Sequence, residues 1–238
     1  MLIFLANLFL GMRLKNKEKR NRRLLAVFSF LRKRNRKGRA FSHKKIEERQ
    51  DALNSEIDEN KYINDSGYIE HQWEMKDLLY GKYPMSYNGC EIIACYNALN
   101  YIKRRIKRQI LMPKLKELIG SYYSDGVTLS GKFGTDPAAV RDYFVKNNYK
   151  VRFSEKLREF EEIAGESDVS VITIFNDRDD VGKMVHTLCV TKENGKYTAH
   201  NAPGISGMTS AGTMDELIRR CGFYGEKGSG VCISGIRI

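Results

Sequence analysis

The dipeptide Asn194-Gly195 limits what this chain can become more than any other feature. It follows a run rich in β-formers, "MVHTLCVT" (184–191), and Asn-Gly is the strongest short signal for a two-residue hairpin turn. With these two residues in the loop, Glu193 faces Lys196, Cys189 faces His200 and Leu188 faces Asn201. Side chains alternate along a strand, so His186, Leu188, Val190 and Asn201 share one face, and Cys189 and His200 share the other. His186 and Asn201 are then diagonal neighbours within reach of each other. A one-residue bulge would exchange the two faces. "VSVITIF" (169–175) reads as a further strand and "GVCISGIRI" (230–238) as the last one.

A helix is expected after the turn residues Pro84, Asn88 and Gly89. Ile92, Cys95, Tyr96, Leu99, Ile102 and Ile106 recur as one stripe at helical spacing. Cys95 lies in the stripe and reads as a small buried hydrophobe. Cys90 lies off it, in the first turn, where unpaired backbone N–H groups and the helix dipole favour a thiolate. A thiolate nucleophile needs a base and a group to orient it. Of four histidines, His43 lies in a basic N-terminal segment and His71 in a connector, which leaves the hairpin pair, His186 with Asn201 on its face and His200 turned away. "GTMDELIRRCG" (212–222) reads as a helix, with Thr213 and Glu216 at capping-box spacing and Gly222 as its stop. Asp136 and Asp215 read as turn and helix-start residues. Together these features give an α+β chain with a nucleophile helix packed on an antiparallel β-sheet.

Three segments then resemble one family in its chain order. "NGCEIIACYNALNYI" (88–102) resembles the nucleophile helix of papain-like cysteine peptidases, and is most similar to the bacterial branch related to double-glycine leader peptidases. "GTDPAAVRDYFVKNNYKV" (134–151) resembles that branch's turn, helix and strand between nucleophile and base. "HTLCVTKENGKYTAHNAP" (186–203) resembles its base strand, hairpin and third triad member. The resemblance implies a papain-like fold with Cys90 as nucleophile, His186 as base and Asn201 as orienting residue. In that family a Gln about six residues before the nucleophile completes the oxyanion hole. Pro84 stands there, so Asn88 and Gln72 are the candidate donors. No cofactor or metal enters such chemistry, and the expected partner is a peptide or protein substrate.

Charge divides the chain. Residues 1–50 hold 16 Lys and Arg against 3 Asp and Glu, a net +13, while the remainder is −1. The sequence pI near 9.4 therefore describes a segment and not a nucleic-acid-binding globule. Residues 1–45 form a basic leader with two main readings, a partly amphipathic helix on an anionic membrane surface or a poorly ordered tail; aromatic interleaving is thin for the third, a basic arm on nucleic acid. "LIFLANLFL" (2–10) falls far short of the ~20 residues a membrane span needs. Residues 46–74 read as a helical connector packed on the domain that follows, and 75–238 as the peptidase domain. Five cysteines, an odd number without a CxxC pair, suit a reducing compartment, so the chain reads as cytoplasmic, with the leader allowing a peripheral place on the inner membrane face. Three functions compete: a thiol hydrolase of peptide amide bonds, an acyltransferase or transglutaminase-like enzyme using the same thioester, and an inactive peptide-binding relative.

Overall fold

The computed structural model describes residues 17–37, 41–105, 111–156, 159–175, 185–203, 206–221 and 232–237. In chain order the elements are α1 (Lys17–Lys37), α2 (Phe41–Ser55), a short ribbon of β1 (Leu79–Tyr80) and β2 (Tyr83–Pro84), a single turn α3 (Met85–Asn88), α4 (Cys90–Arg105), α5 (Leu115–Asp125) and α6 (Ala138–Lys146). They continue with β3 (Lys150–Ser154), α7 (Phe160–Glu166), β4 (Val169–Phe175), β5 (Val185–Glu193), β6 (Lys196–His200), β7 (Met208–Ala211), α8 (Met214–Cys221) and β8 (Cys232–Arg237). The expected positions Ile106 and Gly222, and the apolar run 2–10, lie outside the described residues.

The hairpin forms in the expected register. Glu193 pairs with Lys196 and Cys189 with His200, and no bulge interrupts β5. Asn194 (φ 50°) and Gly195 (φ 75°) both take the left-handed conformation of a type I′ turn, which glycine adopts at no steric cost. Six strands make one sheet in the order β3-β8-β4-β5-β6-β7, every neighbouring pair antiparallel.

Helices cover both faces of this sheet. Val169, Val171, Cys189 and Ile236 pack with α4 and α5. Ile172, Ile174, Leu188 and Val190 pack with Ile163 and Ala164 of α7 and with Met214, Leu217 and Ile218 of α8. So the odd positions of β5 face the cysteine helix and the even positions face α7 and α8.

The stripe expected on α4 is there, with Cys95 fully buried, but the opposite side is buried too. Asn97 donates to the Ile69 carbonyl (2.9 Å) and accepts from the Ile69 N–H (2.8 Å), and Asn100 donates to the Ser66 carbonyl (3.1 Å). The connector thus lays its own backbone across the polar side of α4. Lys103, Arg104 and Arg105 end the helix, where cations complement its dipole.

Within the basic segment the described residues 17–37 form one helix. α1 buries Leu24, Leu25 and Phe28 against the protein and leaves Phe30 exposed. Residues 17–37 are therefore a docked helix. Among the described residues no helix is long and apolar enough to cross a membrane.

Candidate functional site

Cys90 opens α4 and lies at the edge of a small cavity of about 40 Å³ bounded by Phe28, Tyr87, Lys132, Phe133 and Val185. Only 8% of the residue is exposed. Its thiol donates to Glu91 Oε2 at 3.2 Å. The other oxygen of that carboxylate, Oε1, accepts the hydroxyl of Thr187 at 3.2 Å, and Thr187 in turn accepts from the hydroxyl of Thr173 at 3.0 Å. A chain of weak donors therefore converges on one buried carboxylate.

The electrostatics overturn the expectation of a thiolate. Burial raises the Cys90 thiol well above its ordinary range, the Glu91 charge adds to this, and donors on Thr187 oppose it. The helix start that favours a thiolate in water is outweighed by loss of solvent. Burial also pushes Glu91 up to about 7, against the hydrogen bonds from Cys90 and Thr187.

His186 is not brought to Cys90. Thr187 and Val185 are the β5 residues at the cysteine, and His186 between them points to the other face, beside its pairing partner Ile174. Its Nε2 lies 2.7 Å from the backbone carbonyl of Asn201. A carbonyl can only accept, so Nε2 carries the proton. Burial lowers the imidazole's pKa, with the Asn201 bond opposing. Thiol and imidazole both rest neutral, and the expected ion pair is absent.

Asn201 also departs from its expected role. It meets His186 through its main chain, while its side chain is spent on Gln72: Oδ1 accepts from the Gln72 N–H and Nδ2 donates to Gln72 Oε1, each at 3.1 Å. The residue sits at φ 58°, the left-handed region in which Asn is among the better-tolerated side chains. The oxyanion candidates are likewise engaged. Gln72 Nε2 donates to the Met85 carbonyl (3.0 Å). Both amide hydrogens of Asn88 go to carbonyls, of Tyr80 (3.0 Å) and Gly131 (2.8 Å), and its buried Oδ1 is an acceptor. Asn88 has no amide hydrogen left for an oxyanion, while Gln72 Nε2 carries a second hydrogen beyond the one given to Met85.

His200, set aside by the sequence reading, belongs to a second network. Its Nδ1 lies 2.6 Å from Glu70 Oε1, its Nε2 3.1 Å from the Thr191 hydroxyl, and its ring stacks on Tyr68 at 4.0 Å. Glu70 Oε2 also accepts the N–H of Asn201 at 2.7 Å. Gly207 presses against the Glu70 backbone, where an added Cβ would come within 2.2 Å of the carbonyl oxygen. Among the described residues no group of three or more His, Cys, Asp or Glu could hold a metal ion.

The sequence reading passed over Glu91, Thr187 and Glu70. Glu91 was legible as the neighbour of the nucleophile in "GCE", and Thr187 as the residue beside His186 once the face is known. Glu70 carried no local signal. Neither the family models nor the curated proteins match this sequence, and no solved structure matches the fold.

Proposed function

We propose that this chain is a thiol-dependent hydrolase of peptide-type amide bonds in which Cys90 is the nucleophile and Glu91 receives its proton. The carrying observation is the 3.2 Å contact between the Cys90 sulfur and a carboxylate poised near neutrality, at the edge of a cavity. A base with a pKa near the working pH is the effective kind. The papain-like resemblance of the sequence, with a nucleophile at a helix start packed on an antiparallel sheet, supports the same reading.

In the first half of the reaction Glu91 takes the thiol proton, and the sulfur attacks the carbonyl carbon. The carbonyl π electrons move to oxygen. The N–H of Cys90, at the first position of a helix, is available to that oxyanion. Collapse expels the amine, which leaves with the proton from Glu91, and a thioester remains. Water then attacks the thioester, Glu91 takes a proton from it, and the sulfur recovers that proton as the acid departs. Both proton transfers use one carboxyl group.

The second reading is an inactive peptide-binding relative, and the burial of the thiol together with the turned-away His186 favours it. One experiment separates them. A peptide bearing a thiol-reactive electrophile is expected to label Cys90 at a rate that rises through about pH 7, as Glu91 loses its proton. Cys90→Ala removes the labelling and Cys95→Ala does not, and Glu91→Gln slows it by about 10²-fold or more. Loss under His186→Ala with Glu91→Gln harmless would return the base to the imidazole. A flat pH profile, with no cleavage of reporter peptides, would leave the binding protein.

A further inference from the structure

We propose that α1 occupies in cis a groove for a basic helical peptide, and that its displacement is what opens Cys90. This rests on the reading of Cys90 as the reactive thiol. Asn21, Leu24, Leu25, Phe28 and Arg32 are all buried and follow one another at helical spacing, so α1 docks by a narrow seam while Arg22, Ala26, Phe30, Lys33 and Arg34 stay exposed. Two residues of that seam, one turn apart, fill two adjoining sites.

Phe28 forms part of the wall of the Cys90 cavity, together with Tyr87 and Phe133, and is itself almost fully buried. Arg32 enters an acidic notch at the join of α5 and α6. Its Nε donates to the Asp125 carbonyl at 2.6 Å, and one terminal nitrogen reaches Asp142 Oδ2 at 2.8 Å and Asp136 Oδ2 at 3.4 Å. Asp142 is shared with Arg141, and the Asp125 side chain pairs with Lys146 at 3.5 Å. Asp136 is 2% exposed and has its pKa raised by burial even with Arg32 beside it. A buried carboxylate in such a notch calls for a cation, and the planar donors of a guanidinium match a set of one carbonyl and two carboxylates.

The two sites together describe a ligand. An aromatic side chain four residues before an arginine, on one face of a helix, satisfies both, which is the helix-in-groove mode of recognition. The chain supplies that ligand itself. With Phe28 seated, water is kept from the sulfur, and lack of water is the largest cause holding the thiol protonated. Withdrawal of α1 hydrates Cys90 and Glu91 together and frees the notch for the arginine of a peptide in trans.

The test uses the full chain and alkylation by iodoacetamide, read cysteine by cysteine by mass spectrometry. The Phe28→Ala/Arg32→Ala double variant should raise the Cys90 rate by about tenfold or more, while the fully buried Cys95 and Cys189 stay unlabelled. A synthetic peptide of residues 17–37 should restore protection in the double variant, and the same peptide with both positions alanine should not. An unchanged Cys90 rate in a variant that keeps its circular dichroism overturns the proposal. So does labelling of Cys95 and Cys189 along with Cys90, which marks a loosened core, and so does failure of the unaltered peptide to protect. None of these readouts requires turnover. Reporter peptides left uncut by a variant whose Cys90 is open would remove the hydrolase reading and leave the groove standing.

Discussion

Glu91 and Glu70 are both buried carboxylates at the ends of short polar chains, and they stand in opposite chemical positions. Glu70 has strong partners, an imidazole nitrogen at 2.6 Å and a main-chain N–H at 2.7 Å, with a tyrosine ring stacked on the imidazole. It ties the connector to the end of β6. Glu91 has a thiol and a hydroxyl, both at 3.2 Å, which are weak or long, and burial drives it up to about 7. Two groups of one type, both buried, become a staple in one place and a carboxyl raised to about 7 in the other. Their partners make the difference.

The largest expected effect breaks the staple. Glu70→Ala leaves the His200 ring and the Asn201 N–H buried without their acceptor, and should cost about 3–5 kcal/mol of stability in a denaturant titration. A loss under 1 kcal/mol would mean that Glu70 is no staple.

Next comes a variant that should do the reverse. From pH about 4.5 to about 7 the folded chain keeps a proton on Glu91 that the unfolded chain gives up, so the site loses stability as pH rises through that window. Glu91→Gln removes the charge that burial penalises. Relative to the parent it should gain about 3 kcal/mol between pH 4 and pH 8. Unfolding free energies measured at both pH values check this, and parallel profiles would erase the contrast with Glu70.

The smallest effect sharpens the picture of the staple. Tyr68→Leu removes the ring stacked on His200 and should cost about 1 kcal/mol beyond lost burial. Thermal unfolding reads the loss, and the rate of Cys90 labelling should not move. A change in that rate would join the two networks that the comparison keeps apart.

Much of the scaffold was legible because its causes are local. Asn194-Gly195 set the hairpin register, the spacing from Ile92 to Ile102 set α4, and Thr213 caps α8 by accepting the Glu216 N–H at 3.2 Å. The site was legible only in part. Cys90 stands at its helix start as expected, but its neighbours differ. The +13 of residues 1–50 hid the seam of Leu24, Leu25, Phe28 and Arg32, because charge counts do not show which side of a helix is apolar.

The sequence by itself determined which β5 residues travel together: His186 with Leu188 and Val190, Thr187 with Cys189. Only the tertiary structure decided which set meets Cys90. Both faces of this sheet are apolar and both are covered by helices, so a period of two separates the sets without saying which one α4 covers. That choice is made by packing between elements far apart in the chain, and it put Thr187 beside the Cys90–Glu91 pair where alternation alone allowed a histidine.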